Sequence, residues 1–466
     1  MHFQQFYLSC LSQASYFLAS EGVAAVVDPQ RDIELYVEEA RANGFRIEYI
    51  IETHLHADFV SGHRELAGRT GAKIYLSAKA GAGFPHVPVN DGDLLEFGKC
   101  RLKFLETPGH TMESICILVS DLEKSPEPFA VLTGDTLFIG DVGRPDLSPG
   151  LSPQELAGLL YDSLHTKLLT LDDSVAVYPA HGAGSLCGRQ MRSARSSTIG
   201  EEKLSNYALR PSTREEFVSL LTSDLPERPA YFTADVELNR GGAVPVTALA
   251  SMSPLTPEEV LSRQQAGAVV LDTRPAQEFG AAHIPGSLQI GLGGQFASTA
   301  GILVGVGPEV VLVAEDDKSL EESRLRLSRV GIDHVTGYLD GGLANWVRAG
   351  MPVGTVPQIS AEELNRMVRD HERVQVVDVR QPSEWGQGHV PGATLVPLGA
   401  LRTELGNLDT EVPIVVHCKG GYRSSIAASI LKHAGFRDVF NLTGGFDAWR
   451  AFRLPEEIPQ PISWNA

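Results

Sequence analysis

The chain has 466 residues, of which 43% are hydrophobic and 21% charged, a composition that is ordinary for a soluble globular protein. This length exceeds what one hydrophobic core usually organises, so several domains are expected. A formal net charge of −19 repels phosphate backbones and anionic lipid, and no apolar run reaches the roughly 18 residues that a membrane span needs. Neither nucleic acid nor a membrane is therefore expected as a partner.

The N-terminal residues and the cysteines indicate a cytoplasmic protein. Residues 1–5 lack the basic region of a secretory signal, and no long apolar stretch follows them. The cysteines are odd in number and irregularly spaced, which argues against a disulfide framework and favours free thiols. They are Cys10, Cys100, Cys116, Cys187 and Cys418.

Short apolar runs alternate with glycine-rich or polar turns up to about Gly184, which predicts an α/β fold. The predicted strands are residues 24–27, 49–51, 102–105, 129–132 and 175–177, and the predicted helices include residues 33–43 and 153–160. Residues 211–240 are more polar and weakly helical. Gly241, Gly242 and Pro245 then indicate a domain edge before residue 255.

The rest of the chain contains an internal repeat. Residues 270–274 recur as 376–380, residues 282–287 as 388–393, and residues 339–346 as 442–449. Three motifs in the same order at nearly constant spacing indicate two duplicated domains of about 100 residues each.

Four strand ends carry side chains that can bind a metal. The motif Thr53-His54-Leu55-His56-Ala57-Asp58 follows the first of them directly. Three further candidates each follow another apolar run: His110, Asp135 and His181. Any one of them alone would suit a turn histidine or a capping aspartate, but together they indicate a site for zinc, iron or manganese.

On these motifs, residues 1 to about 240 resemble the metallo-β-lactamase superfamily and, within it, the persulfide dioxygenases related to glyoxalase II. The resemblance implies an αββα sandwich. Glyoxalases and lactamases have a histidine directly after the aspartate of the first motif, where this chain has Phe59. Since a phenyl ring cannot ligate, one metal is expected rather than two.

The persulfide dioxygenases imply one Fe(II) per chain, with zinc as the alternative metal. Carried over to this sequence, the iron ligands are His54, His110 and Asp135. We expect a second group to orient these ligands and bound water, or to hold a metal itself: His56, Asp58 and His181.

Two further features of the first half resemble the same family. In residues 140–146, Arg144 is expected to hold the carboxylate or phosphate of the substrate while Asp146 holds Arg144, the alternative being a salt-bridged structural loop. Cys187 resembles a cysteine near the iron of bacterial dioxygenase-rhodanese fusions, where it would relay sulfur. The alternative for Cys187 is simple burial.

The second repeat contains a candidate nucleophile. The predicted strand 414–417 ends at Cys418, and a helical run follows over residues 424–434. Backbone N–H groups at the start of a helix favour a thiolate or an anionic persulfide, as do the charges of Lys419 and Arg423.

The Cys-x-x-Gly-x-Arg pattern resembles an active rhodanese over residues 357–455. A protein-phosphatase loop would instead require an arginine at Ser424. The first repeat has the acidic sequence 314–318 in place of the cysteine loop, which predicts a non-catalytic domain with a docking or spacing role.

Together these interpretations predict a metallo-β-lactamase-like domain at 1–250, a non-catalytic rhodanese-like domain at 255–354 and a catalytic one at 357–455, the last two with parallel sheets. The expected function is sulfide detoxification: oxidation of a low-molecular-weight persulfide by dioxygen to sulfite, and transfer of sulfane sulfur through Cys418 to form thiosulfate. The alternatives are a glyoxalase II-like zinc thioester hydrolase fused to a rhodanese, and a non-enzymatic sulfur carrier or docking protein. The thiol carrier can be glutathione, coenzyme A or bacillithiol, and a homo-oligomer is compatible with the sequence.

Overall fold

The computed structural model describes residues 1–458. The chain divides into two compact units. The first unit contains Met1–Leu249 with the short segment Leu327–Ile332, and the second contains Ala250–Arg326 and the residues from 333 onward.

Two six-stranded sheets form the first unit. The first sheet has the order β1-β2-β3-β4-β5-β6, with strands β1 (His2–Leu8), β2 (Gln13–Ser20), β3 (Val23–Val27), β4 (Arg46–Ile51), β5 (Lys73–Ser77) and β6 (Val87–Val89). A small hairpin consists of β11 (Leu137–Phe138) and β12 (Asp141–Val142). The second sheet contains β7 (Leu94–Phe97), β8 (Cys100–Glu106), β9 (Ile115–Asp121), β10 (Ala130–Gly134), β13 (Ala176–Pro179) and β14 (Ser197–Thr198). Its order is β14-β13-β10-β9-β8-β7.

Helices cover both outer faces of this pair of sheets. They are α1 (Glu34–Asn43), α2 (His63–Thr70), α3 (Pro153–Ser163), α4 (Ile199–Ser205), α5 (Arg214–Thr222) and α6 (Tyr231–Gly241). Alternation along β2 shows how the layers form: Tyr16 and Leu18 pack between the sheets, whereas Phe17 packs on the side of α1 and α2. The outer face of the second sheet packs on α3. The predicted αββα sandwich is confirmed.

The helix predicted over residues 153–160 begins as expected but ends later. Ser152 and Glu155 form a capping box before Pro153. The helix continues to Ser163 and then into a π-helical turn at Leu164–Leu168, because Leu164 and Leu168 extend the buried apolar stripe. The weakly helical segment 211–240 forms the two separate helices α5 and α6.

The second unit contains two α/β domains with the same topology. The first comprises β15 (Ser253–Leu255), α7 (Pro257–Gln265), β16 (Val269–Asp272), α8 (Ala276–Ala281), β17 (Leu288–Gln289), α9 (Phe296–Leu303), β18 (Val310–Val313), α10 (Asp317–Ser328), β19 (Val335–Leu339) and α11 (Gly342–Arg348). The second comprises β20 (Gln358–Ile359), α12 (Ala361–Arg369), β21 (Gln375–Asp378), α13 (Pro382–Trp385), β22 (Thr394–Leu395), α14 (Leu401–Glu404), β23 (Ile414–His417), α15 (Tyr422–His433), β24 (Val439–Leu442) and α16 (Gly445–Ala451).

Corresponding strands occupy corresponding places in the two parallel sheets. Their orders are β15-β19-β18-β16-β17 and β20-β24-β23-β21-β22. Side-chain contacts repeat as well: the indole N–H of Trp346 donates to the carbonyl of Pro352 at 2.8 Å, and that of Trp449 donates to Pro455 at 2.7 Å. The duplication and the parallel sheets predicted from the sequence are confirmed.

Across residues 1–458, no helix has both the length and the apolar character that crossing a membrane would need.

Candidate functional site

The candidate metal ligands meet at one edge of the first unit because each follows a strand. His54 follows β4, His110 follows β8, Asp135 follows β10 and His181 follows β13. Strands β10 and β13 are parallel neighbours, so their carboxyl ends bring Asp135 and His181 together.

Three of these side chains converge as a ligand set. One ligand atom each of His54, His110 and Asp135 lies within 4.8 Å of the other two. Asp135 Oδ2 is 3.8 Å from His54 Nε2 and 3.4 Å from His110 Nε2, and all three residues are buried. None of these facing atoms has a hydrogen-bond partner within residues 1–458. Buried polar atoms are normally satisfied, so this set fits a metal ion with nitrogen and oxygen ligands.

Hydrogen bonds fix the orientation of both imidazole rings. His110 Nδ1 donates to the carbonyl of Arg144 at 2.9 Å, which leaves the Nε2 lone pair for a ligand. Thr53 donates its hydroxyl proton to Asp28 at 2.8 Å, so His54 Nδ1 donates to Thr53 at 3.0 Å. Burial lowers the pKa of His54 well below its ordinary value and also lowers the pKa of His110, which keeps both rings neutral.

A second group of the same composition lies beside the first. Ligand atoms of His56, Asp58 and His181 also lie within 4.8 Å of one another, with His181 Nδ1 at 3.4 Å from Asp58 Oδ2. The buried ring of Phe59 lies 4.3 Å from the ring of His56. An apolar side chain therefore adjoins this group, which holds two histidines and one carboxylate.

His56 contacts two carboxylates that sequence reasoning missed. Its Nε2 lies 3.0 Å from Asp28 Oδ1 and 3.6 Å from Glu52 Oε2. Burial alone would lower the pKa of His56, but the carboxylates of Asp28, Glu52 and Asp135 together outweigh it and raise this pKa to about 9. Asp28 and Glu52 each follow a predicted strand directly, which was the signal available in the sequence.

Arg144 and Asp146 form the expected pair. Two guanidinium nitrogens of Arg144 donate to the two oxygens of Asp146 at 2.7 and 2.9 Å, and the carbonyls of Pro226 and Leu186 accept two further bonds at 2.6 and 3.3 Å. A guanidinium has five N–H groups. Arg144 is thus mainly occupied within the described chain, and its role toward a substrate stays a prediction.

Cys187 lies at the edge of the metal ligands. Its sulfur and ligand atoms of Asp135 and His181 all lie within 4.8 Å of one another. Burial raises the pKa of the Cys187 thiol well above its ordinary value, and the neighbouring carboxylates of Asp58 and Asp135 raise it further. The thiol is therefore neutral as it stands, and participation in sulfur transfer stays a prediction.

The Tyr231 hydroxyl is another feature that the sequence did not signal. It is buried without a hydrogen-bond partner in residues 1–458. Burial raises its pKa, and Asp58 is the first of the neighbouring charges that raise it further. Its place near Asp58 follows from the tertiary packing of α6, which no local motif predicts.

The sulfur of Cys418 lies inside a short loop before α15. It accepts a hydrogen bond from the backbone N–H of Gly421 at 3.1 Å and one from the hydroxyl of Ser424 at 3.6 Å. Arg423 makes a bidentate ion pair with Glu384 at 2.6 and 2.8 Å, while Lys419 is exposed. The loop thus supplies backbone and hydroxyl donors, and Arg423 also interacts with the sulfur, although Glu384 partly neutralises its charge.

In the first of the two duplicated domains, the matching loop has no thiol. Pairing of β16 with β18 and of β21 with β23 places Ala314 where the second domain has Cys418. Burial and the carboxylate of Glu278 raise the pKa of Glu315, the next residue in this loop. Glu315 is therefore easier to protonate, whereas hydrogen bonds from Ser319 lower the pKa of the neighbouring Asp316, which favours its charged form.

Comparison with known proteins matches both units. The model of the metallo-beta-lactamase superfamily matches residues 8–181, and the model of the rhodanese-like domain matches residues 256–349 and 360–452. A metallo-beta-lactamase structure from Staphylococcus aureus subsp. aureus COL is 32% identical, with a TM-score of 0.66, and the match covers 72% of this chain and 98% of that chain.

Three curated proteins are each similar to a part of the chain. A persulfide dioxygenase from Bos taurus is 32% identical over 42% of this chain and 70% of its own length. A hydroxyacylglutathione hydrolase from Francisella philomiragia is 33% identical over 37% of this chain but only 63% of its own length. A sulfurtransferase from Allochromatium vinosum is 33% identical over 22% of this chain and 98% of its own length.

Proposed function

Because this chain belongs to the metallo-beta-lactamase superfamily, with persulfide dioxygenases among its relatives, and carries two rhodanese-like domains, we propose that it oxidises a thiol persulfide and transfers sulfane sulfur. The observation that carries the proposal is the set of unpartnered ligand atoms of His54, His110 and Asp135, with the apolar ring of Phe59 packed against His56 of the neighbouring group. Two imidazoles and one carboxylate are the donor set of mononuclear iron sites that react with dioxygen.

In this proposal His54, His110 and Asp135 hold one iron ion per chain. Iron in such a site would supply the activation of dioxygen toward the persulfide sulfur. The protein supplies neutral, oriented imidazoles and excludes water, since all three ligands are buried. The overall reaction converts RSSH, O2 and H2O into RSH, sulfite and two protons, so the terminal sulfur loses the four electrons that dioxygen gains.

Cys418 carries the second proposed reaction. Its thiolate attacks the terminal sulfur of a persulfide, which forms the persulfide of Cys418 and releases the thiolate of the carrier. Sulfite then attacks that terminal sulfur, so that thiosulfate leaves and the thiolate of Cys418 is restored. The N–H of Gly421 and the hydroxyl of Ser424 support this role because they stabilise negative charge on the sulfur.

A zinc thioester hydrolase is the second candidate, and similarity to a hydroxyacylglutathione hydrolase favours it. That chemistry commonly uses two metals to activate water. Phe59 counts against it, because the ring adjoins His56 where a further nitrogen ligand would complete the second site.

Metal analysis of protein purified without oxygen tests the proposal. We expect about one equivalent of iron per chain, and loss of that iron in His110→Ala because the variant lacks one of the three ligands. Two equivalents of zinc in the wild type, with thioester hydrolysis in place of persulfide-dependent oxygen consumption, would refute the dioxygenase and support the hydrolase.

We also propose a cytoplasmic location, which the five free thiols support.

A further inference from the structure

The first half of the Cys418 loop is held by its own domain. The N–H of Phe446 donates to the carbonyl of Cys418 at 2.8 Å, and the N–H of Asp447 donates to the carbonyl of Lys419 at 2.9 Å. Both donors belong to the first turn of α16, which therefore fixes the peptide groups on either side of the Cys418–Lys419 bond.

Two glycines follow this fixed part of the loop. Gly421 has a φ of +106°, and the position where a Cβ of Gly420 would lie meets no neighbouring atom. Glycine has more backbone freedom than any other residue, so this dipeptide does not hold its own conformation. Yet the N–H of Gly421 is the group that donates to the sulfur of Cys418. Its direction therefore depends on α15, which holds the carbonyl of Gly421 through the N–H of Ser425 and the hydroxyl of Ser424, both at 3.2 Å, and which begins at the next residue.

That residue, Tyr422, is attached to the cysteine-free domain. Its hydroxyl donates to the carbonyl of Gly291 at 3.1 Å. The same helix has two further bonds to the same segment: Ser429 Oγ accepts from the N–H of Gln289, and His433 Nδ1 contacts the carbonyl of Gly286, both at 3.1 Å. Residues spaced by seven and four positions lie on one side of a helix, so one face of α15 lies along this segment.

The segment that receives α15 is itself held in place. Arg326, which is buried, donates to the carbonyls of Leu292 and Gly294 and packs its guanidinium over the ring of Phe296 at 5.3 Å. The Tyr422 ring lies 3.5 Å from the position that a Cβ of Gly294 would occupy. Tyr422 therefore contacts a braced turn rather than a free loop end.

In the part of the chain that the structure describes, the second domain does not contact the matching loop of the cysteine-free domain in the way that the cysteine-free domain contacts the Cys418 loop. Strand β17 is buried, whereas the matching strand β22 contains an exposed Thr394. The strand pairing places Lys318 where the second domain has Tyr422, and Lys318 is exposed. Within residues 1–458, the cysteine-free domain therefore supports the loop that has the thiol, and its own loop has no matching contact from the second domain.

We infer that the cysteine-free domain is a positioning partner for the sulfur-carrying loop, and that Tyr422 is the positioning residue through which it acts. The inference rests on the proposed role of Cys418 as the sulfur carrier. Tyr422 anchors the loop one residue beyond Gly421, so the N–H of Gly421 stays directed at the sulfur while the substrate binds and leaves.

The experiment is the pH profile of Cys418 alkylation in the full chain, followed by mass spectrometry of the peptide that contains Cys418. In Tyr422→Phe the ring stays, and only the contacts of the hydroxyl with Gly291 and Thr299, both in the cysteine-free domain, are lost, so the fold is retained. We expect the pH of half-maximal alkylation to rise by about 0.5 unit and the rate at pH 7 to fall about threefold, because the Gly421 donor stabilises the thiolate less well. Sulfur loading from a persulfide should fall in parallel.

Ser429→Ala is the matched control, because it removes another bond between the same helix and the same segment farther from the loop. It should leave the alkylation profile unchanged. An unchanged profile in Tyr422→Phe, or an equal shift in both variants, would overturn the inference, since the second result means general loosening of the domain contact. Failure of the wild type to load sulfur on Cys418 would instead refute the proposed function. The alkylation profile would still test the inference, because alkylation of Cys418 does not require sulfur loading.

Discussion

Phe59 is the residue whose replacement tests how many metals the first unit binds. Its ring is buried 4.3 Å from His56, next to Asp58 and His181. We expect Phe59→His to add a nitrogen donor to this group and to raise zinc binding from about one to about two equivalents per chain. Metal analysis after dialysis against excess zinc provides the measurement.

Phe59→Leu is the control for that substitution. It removes the ring without adding a ligand, so it should still bind one metal, with only the modest loss of stability that follows a change in core shape. If Phe59→His also binds a single metal under excess zinc, the missing nitrogen is not what keeps the centre mononuclear.

At the scale of the elements, the sequence indicated which strand ends bring the candidate ligands together. Apolar runs end within a few residues of His54, Asp135 and His181, and the carboxyl ends of neighbouring strands meet at one edge of a sheet. The surroundings of these ligands could not be predicted in the same way. Asp28 bonds Thr53 across 25 positions of the chain, and no local pattern specifies that pairing.

The contact between the two duplicated domains could not be predicted from local sequence either. The missing thiol at Ala314 and the acidic residues that follow it are visible in the sequence itself. The contact of Tyr422 with Gly291 was not predictable, because the acceptor is a backbone carbonyl, which every residue has. The position of this carbonyl depends on how the cysteine-free domain packs against α15.

Gly445 provides a test of the contact between α16 and the Cys418 loop. A Cβ at this position would lie 2.5 Å from the carbonyl oxygens of Cys418 and Lys419. We therefore expect Gly445→Ala to displace the loop and to lower the rate of sulfur loading on Cys418 at least about tenfold. Rapid-quench mass spectrometry of the Cys418 peptide measures that rate.

The first duplicated domain offers the matched control, Gly342→Ala. Gly342 has a φ of +59°, close to the +57° of Gly445, so both alanines carry a similar backbone cost of about 1–2 kcal/mol. Its Cβ would lie 3.6 Å from the carbonyl of Ala314, an ordinary contact. Equal loss of sulfur loading in the two variants would mean that backbone strain, not displacement of the loop, explains the effect.

At the scale of the whole molecule, one chain contains two sites whose proposed reactions are connected. Sulfite is the product of the first reaction and the acceptor in the second. Covalent linkage raises the effective concentration of one site at the other. The buried ligand set has no nucleophilic cysteine among its three members, and the Cys418 loop lies in a separate domain, so the two reactions should separate cleanly by mutation.

Cys418→Ser separates them. The hydroxyl cannot carry a sulfane sulfur, so thiosulfate should fall and sulfite should accumulate, while persulfide-dependent oxygen consumption continues near the wild-type rate because no metal ligand has changed. Adding Ala314→Cys to this variant is a stringent control: the new thiol is followed by Glu315 and Asp316, whose charges repel anionic persulfide, and it should not restore thiosulfate. An unchanged thiosulfate yield in Cys418→Ser would contradict the assignment and would indicate transfer through Cys187 or attack of free sulfite on the persulfide in solution.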